Sequence, residues 1–269
     1  MKIKCVFFDI DGTLIDTTKG IFHVRSEHLD ALRRLQQAGI YVVSATGRQL
    51  NSLKAVADFP FDANICLNGS MIYVGDRLIR NFTFDETTVA ELWEFLENHQ
   101  IGFVMQGESV YYCHPQNHPY VINYAQQVSR HKENQIYYTY PDRPVYKVSV
   151  FLHDETQKQT LIHNLDGCYG LMFYNSHLRM DNEQRLNGEI TLKEIHKGRG
   201  VETVLSTLNI QPQQAIAFGD NSNDVEMFKV VRGYAMHDST PDLIEHCTKV
   251  IGDVSSMTIV DEIDRLLND

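Results

Sequence analysis

Residues 3–8 form a short apolar run that stops at Asp9-Ile10-Asp11-Gly12, which predicts a buried strand closed by a tight loop. Leu29, Leu32, Leu35 and Ala38 then recur on one helical face ahead of Gly39, predicting a helix over about 26–38. Ile40-Tyr41-Val42-Val43 reads as the next strand, 48–57 as the next helix, and Ile65-Cys66-Leu67 as a third strand. Met71–Val74 and Leu78–Phe82 flank Gly75-Asp76 and predict a hairpin. Strands alternating with helices imply a mostly parallel sheet covered on both faces.

The rhythm changes near residue 83. Thr88 with Glu91 three positions later predicts a capped helix, followed by strands at 101–105 and 109–113. Further strands are expected at 146–152, 169–174 and 176–180, with helices at about 117–131 and 156–164. Ten of the 13 tyrosines fall between 83 and 186, a composition shift that marks a separate α+β unit. From 187 the first rhythm resumes, with a helix at 198–208, a strand at Ala215–Phe218, a helix at 224–229 and a strand at Gly233–Met236. The expected fold is therefore α/β. A Rossmann-like parallel-sheet core domain (1–82 and 187–269) carries an inserted α+β cap domain (83–186).

Composition narrows the class. The 269 residues are 43% hydrophobic and 22% charged, as in a folded globular protein. With 24 Lys+Arg against 35 Asp+Glu the net charge is −11 and no basic cluster exists, which argues against a nucleic-acid partner. No run of about 18 apolar residues is present, so no membrane helix is expected. Asp9 and Asp11 cut the first apolar run short of a secretory h-region. Five dispersed cysteines without a CxxC pair suit a reduced, cytoplasmic setting. A monomer or weak homo-oligomer is expected.

Four segments place polar side chains at strand or helix ends, which gather along one edge of a parallel sheet. In Asp9-Ile10-Asp11-Gly12-Thr13, two carboxylates two residues apart can divide labour as nucleophile and general acid or base, although an Asx turn explains a lone DxDG equally well. In Ser44-Ala45-Thr46-Gly47-Arg48-Gln49, Thr46 can bind a phosphoryl oxygen at a helix start, and with Gln49 it also fits a capping box. Lys197 precedes Gly198-Arg199-Gly200; a dinucleotide fingerprint fails there, since Thr203 replaces the third glycine. In Gly219-Asp220-Asn221-Ser222-Asn223-Asp224, Asp220 and Asp224 offer hard oxygens suited to Mg²⁺, while Val225 and Val231 rule out a calcium loop and Asn223 with Glu226 fits an N-cap. The joint order of the four is the strong signal.

That order resembles the haloacid dehalogenase-like phosphohydrolases, more narrowly their Cof-type sugar-phosphatase-like branch. Phe8–Leu14 is similar to the first family motif, Ala45–Arg48 to the second, Glu189–Gly198 to the lysine segment and Gly219–Asp224 to the fourth; Asn68-Gly69 also fits the branch. One stretch departs: His237-Asp238-Ser239 stand where the branch has Gly-Asn-Ala, and Ile244 where it has a lysine.

The resemblance implies phosphoryl transfer through an aspartyl-phosphate on Asp9, with Asp11 protonating the leaving oxygen and then activating water. It implies Mg²⁺ held by Asp9, the Asp11 carbonyl and Asp220, with Asp224 as ligand or support. It puts Thr46 and Lys197 on the phosphoryl oxygens and adds Gly47, Arg48 and Asn223 to the substrate-binding residues, with Asn223 also orienting the metal site beside Asp224. It leaves the rest of a small phosphorylated metabolite to the inserted cap, where Tyr111, Tyr112 and His114 are candidates. Two alternatives stay open: a phosphomutase using the same residues, and a phospho-aspartate signalling switch, against which the insertion and Asp11 count.

Overall fold

The computed structural model describes residues 2–114, 118–129, 134–176 and 185–268. Two compact units emerge. One comprises Met1–Arg48, Leu53–Asn81 and His196–Asp269, the other Gln49–Ser52 and Phe82–Ile195.

The first unit is α/β. In chain order it contributes β1 (Cys5–Phe8), α1 (Ser26–Gln37), β2 (Tyr41–Ala45), most of α2 (Leu50–Val56), β3 (Ala63–Cys66), β4 (Met71–Val74) and β5 (Arg77–Asn81). The second unit then supplies α3 (Glu86–Asn98), β6 (Gly102–Gln106), β7 (Val110–His114), α4 (Pro119–Val128), β8 (Gln135–Tyr137), β9 (Lys147–Phe151), α5 (Glu155–Leu165), β10 (Tyr169–Ser176) and β11 (Arg185–Leu192). The first unit resumes with α6 (Lys197–Leu208), β12 (Ala215–Gly219), α7 (Val225–Val230), β13 (Arg232–Ala235), α8 (Pro241–His246), β14 (Lys249–Val250) and α9 (Thr258–Asn268).

Its sheet runs β14-β13-β12-β1-β2-β3-β4-β5, parallel from β14 to β3 and antiparallel across the β3-β4-β5 hairpins. Every residue of β1 and β12 is buried, as continuous apolar strands in the centre of a parallel sheet must be. Cys5, Phe7, Val43, Ile65 and Ala217 pack with Val201, Val204, Leu205, Met227 and Phe228 from α6 and α7. The helix pair α1 and α9 buries Leu32, Leu35, Ile259 and Ile263. In the second unit a sheet ordered β10-β11-β9-β6-β7-β8 buries Phe103, Met105, Val148, Val150 and Ile190 with Leu92, Leu96 and Leu161 from α3 and α5.

Several local expectations need correcting. The α3 cap is Asp85, whose carboxylate accepts the Thr88 N–H at 2.8 Å, so Thr88 lies inside the helix. The region expected to end at 186 continues, because Arg185–Leu192 forms β11 and pairs with both β10 and β9. Its Asn187, Glu189 and Thr191 alternate with apolar residues, and that polar face conceals a central strand. The strand expected at 176–180 lies, beyond its first residue, outside the described residues, as do parts of the helix expected at 117–131.

Candidate active site

Since β12, β1 and β2 are parallel neighbours, their carboxyl ends lie side by side. Phe8 stands in register between Phe218 and Ser44. Asp9 follows Phe8 directly, Asp220 comes two residues after Phe218, and Thr46 two after Ser44. The Asp9 N–H still donates to the Phe218 carbonyl at 2.9 Å, so the backbone is held in the ladder where its side chain leaves the sheet.

Lys197 reaches this edge from the first turn of α6, which His196 caps by accepting the Arg199 N–H. A Cβ on Gly198 would lie 2.3 Å from the Glu226 carbonyl, so only glycine lets this turn sit so close to α7. The fully buried ammonium donates to Asp9 Oδ1 at 2.5 Å and to Asp224 Oδ1 at 2.7 Å. Burial alone would lower the Lys197 pKa, but Asp224 and Asp9 outweigh it and hold the ammonium above its ordinary value. Asp224 Oδ2 accepts the N–H groups of Asp220 and Asn221 at 3.0 and 3.2 Å, so both of its oxygens are engaged. The cap of this turn is Asn221, in a reciprocal capping box with Asp224, and not Asn223.

Asp220 lies against Gly12, where an added Cβ would be 2.0 Å from Asp220 Oδ2 and φ is +88°, a conformation open to glycine. Asp220 Oδ1 is buried without a hydrogen-bond partner among the described residues. Asp9, Asp220 and Asp224 each present a carboxylate oxygen, all within 4.8 Å of one another. Burial, then the Asp9 and Asp224 charges, push the Asp220 pKa well above the carboxylate range. Burial likewise raises Asp9 to about 7, with Lys197 opposing and Asp224 and Asp11 adding to the shift. Close-set hard oxygens, one of them orphaned, fit a divalent cation; Asp9 and Asp220 have the capacity to hold one, while both oxygens of Asp224 are engaged by Lys197 and the loop.

Asp11 points elsewhere. Its side chain is 50% exposed, and Arg48 clamps it with both prongs, Nε to Oδ2 at 2.7 Å and Nη2 to Oδ1 at 2.6 Å. Arg48 is thus a partner of Asp11, a role the sequence reading did not anticipate. Thr46 is buried, and its hydroxyl accepts the Arg48 N–H at 3.1 Å. The Arg48 and Thr46 carbonyls accept the Leu67 and Asn68 N–H groups, both at 3.0 Å, so Gly47 sits in a loop braced on both sides. The expected Thr46–Gln49 capping box does not form: α2 starts at Leu50, and the Gln49 amide donates to the Gly107 and Val110 carbonyls. Asn223 Nδ2 reaches Asn68 Oδ1 at 3.4 Å, and Asn68 holds a left-handed conformation. Asp238, in the stretch that departs from the branch, is paired with Lys19 at 2.6 Å. Tyr112 packs in the second unit's core and donates to Asp142, Tyr111 meets Ser52, and His114 stacks on Phe103 and meets Trp93 edge-on.

The sequence pattern of the haloacid dehalogenase-like hydrolases matches residues 6–263. The chain belongs to that family. It is 22% identical over 259 residues to the 5-amino-6-(5-phospho-D-ribitylamino)uracil phosphatase YcsE of Bacillus subtilis, covering 95% of this chain and 92% of that protein. It is 23% identical to the pyridoxal phosphate phosphatase YbhA of Escherichia coli, covering 96% of this chain and 97% of that one. The fold matches that of the subclass IIB sugar phosphatase BT4131 with a TM-score of 0.78 at 19% identity, over 97% and 98% of the two chains. Family and fold class are those the four motifs imply.

Proposed function

We propose that this protein is a Mg²⁺-dependent phosphoric monoester hydrolase acting on small phosphorylated metabolites. The observation that carries this reading is Asp9 at the end of the central strand, held by Lys197 on one oxygen and converging with Asp220 and Asp224. Its second oxygen attacks phosphorus, the ester P–O bond breaks, and Asp11 gives the leaving oxygen its proton. Water then attacks the aspartyl-phosphate, Asp11 takes the proton, and Asp9 and inorganic phosphate are released. Asp9, Asp220 and the Asp11 carbonyl would hold the divalent cation, which would neutralise charge between carboxylate and phosphate dianion. Lys197 and the Thr46–Arg48 loop hold phosphoryl oxygens, so most of the catalysis is positioning and charge stabilisation.

The relatives' names give a phospho-ribitylaminouracil and pyridoxal phosphate as their substrates, and one neighbour is a sugar phosphatase. Support for a sugar or sugar-like phosphomonoester comes from those names. No helix among the described residues is long and apolar enough to cross a membrane, and a reduced cytoplasmic setting suits the free cysteines. The test is phosphate release from a panel of hexose phosphates, nucleotides, pyridoxal phosphate and flavin mononucleotide, with Mg²⁺ and in EDTA. Turnover lost on chelation, with an acid-stable adduct on Asp9 by rapid-quench mass spectrometry, is expected. Transfer to a second hydroxyl without phosphate release would instead mark a mutase.

A further inference from the structure

A general acid must be aimed as well as present, and Asp11 is poorly placed to aim itself. It lies three residues beyond the end of β1, precedes a glycine at φ +88°, and keeps half of its side chain in solvent. The Arg48 fork takes one lone pair on each Asp11 oxygen in a planar, two-point contact, which removes rotation about the carboxyl axis. Arg48 in turn is fixed at its own backbone. Its N–H is bound by the Thr46 hydroxyl, its carbonyl by the Leu67 N–H, and its side chain is only 20% exposed. A carboxylate has about four lone-pair positions, so a two-point clamp does not by itself exhaust it.

We propose that Arg48 is a positioning residue that acts through Asp11, transmitting the rigidity of the Thr46–Arg48 loop to the acid/base carboxyl; this rests on the phosphatase reading above. A residue that only bound the phosphoryl group would assist every phosphomonoester alike. A residue that aims the acid matters where the leaving group needs a proton. An alkoxide needs one, whereas p-nitrophenolate departs without it. Lysine keeps the charge but lacks the fork, so it cannot replace arginine in this role.

The experiment compares kcat/KM, which reports phosphoenzyme formation, for glycerol phosphate and p-nitrophenyl phosphate in wild type, Arg48→Ala, Arg48→Lys, Asp11→Asn and the Asp11→Asn/Arg48→Ala double variant. Taking the ratio of the two esters within one preparation cancels any misfolded fraction. Arg48→Ala is expected to slow the alkyl ester by roughly 10²-fold and the aryl ester by less than about tenfold, within the range of general acid catalysis. Arg48→Lys should show the same selectivity, less steeply. Added to Asp11→Asn, Arg48→Ala should change the ratio little, because the two act as one unit. Equal losses on both esters, full recovery with lysine, or additive losses in the double variant would each overturn the proposal alone. Failure of wild type to release phosphate from either ester would overturn the phosphatase reading, and this inference with it.

Discussion

Lys147 in the second unit and Lys197 in the first are both buried against carboxylates. Lys147 is 3% exposed and donates at 2.5 Å to Glu189, itself 11% exposed, across the neighbouring strands β9 and β11. The ammonium meets this carboxylate directly, and the Tyr174 hydroxyl adds a hydrogen bond to the same acid. Lys197 faces Asp9 and Asp224, with Asp220 close by and one Asp220 oxygen unpartnered among the described residues. That group carries one ammonium for three acids. A balanced pair inside a sheet is a structural strut. A buried group with surplus negative charge is costly unless something positive arrives, and that surplus is what marks a site.

The largest effect is expected at Lys197. Lys197→Met leaves Asp9 and Asp224 buried without their cation, which should cost about 3–5 kcal/mol above neutral pH and abolish turnover together. Mg²⁺ should stabilise this variant more than wild type, since nothing else opposes the acids. Chemical denaturation in EDTA and in Mg²⁺ reads both effects; a variant as stable as wild type in EDTA would mean that the carboxylates do not depend on Lys197.

Lys147 tests the other half of the contrast. Lys147→Met alone should cost about the same 3–5 kcal/mol, because the buried Glu189 then loses the ammonium opposite it. The Lys147→Met/Glu189→Leu double variant should recover most of that loss, since a balanced pair can be replaced by apolar groups of similar volume. No such rescue exists for Lys197, whose partners carry the chemistry. A double variant as unstable as the single would show that Lys147 does more than balance Glu189.

The third prediction concerns the cation and pH. Mg²⁺ at a hundredfold excess over Kd should add about 2.7 kcal/mol, a rise of a few degrees in Tm for a chain of this size. Asp220→Asn should gain much less. In EDTA, Asp9 is raised from 3.8 to about 7 in the folded protein, mainly by burial. The folded state therefore binds more protons than the unfolded chain between those values, and stability falls as pH rises through that window. Mg²⁺ replaces the protons, so its stabilising effect should grow from about pH 4 to pH 7 and then level off. Melts across that range, for wild type and Asp220→Asn, decide it. A Mg²⁺ effect independent of pH would remove Asp9 from the ligand set.

The contrast between the two lysines was only half legible in the chain. Asp9, Thr46, Lys197 and Asp220 were readable because each stands at the end of an apolar run or at a helix start, and parallel-sheet topology then forces such ends together. The β1–β12 pairing, separated by more than two hundred residues, follows from that same logic. Glu189 was not readable as a buried ion, since Arg185–Leu192 alternates polar and apolar residues and its polar partner comes from β9, far away in sequence. Arg48 was read as a substrate-binding residue because a motif records residue types and not where a long side chain ends; only the Asp11 distances reveal the fork. The caps at Asp85 and Asn221 were each missed by two or three residues, as several candidate capping residues stand in a row.

The smallest effect is expected at a third lysine, which separates charge surplus from burial. Lys19 also meets several acids, Asp238 at 2.6 Å, Asp253 at 3.2 Å and Asp16 at 3.5 Å, so its ratio of acids to lysine matches that around Lys197. Here, however, Lys19 is 32% and Asp238 59% exposed, and water and salt screen the surplus. Asp238→Asn should therefore cost less than about 1 kcal/mol, and that cost should fade as ionic strength rises. Screening of Asp238 also bears on the departure of this chain from its branch. The extra negative charge at Asp238 is taken up by Lys19, so its removal should leave kcat/KM unchanged for monoanionic, dianionic and sugar phosphates alike. Denaturation at low and high salt, with kinetics on the three substrates, measures both. If Asp238→Asn selectively favoured the more highly charged substrate, its charge would reach the site despite Lys19, and burial would not be what separates the two clusters.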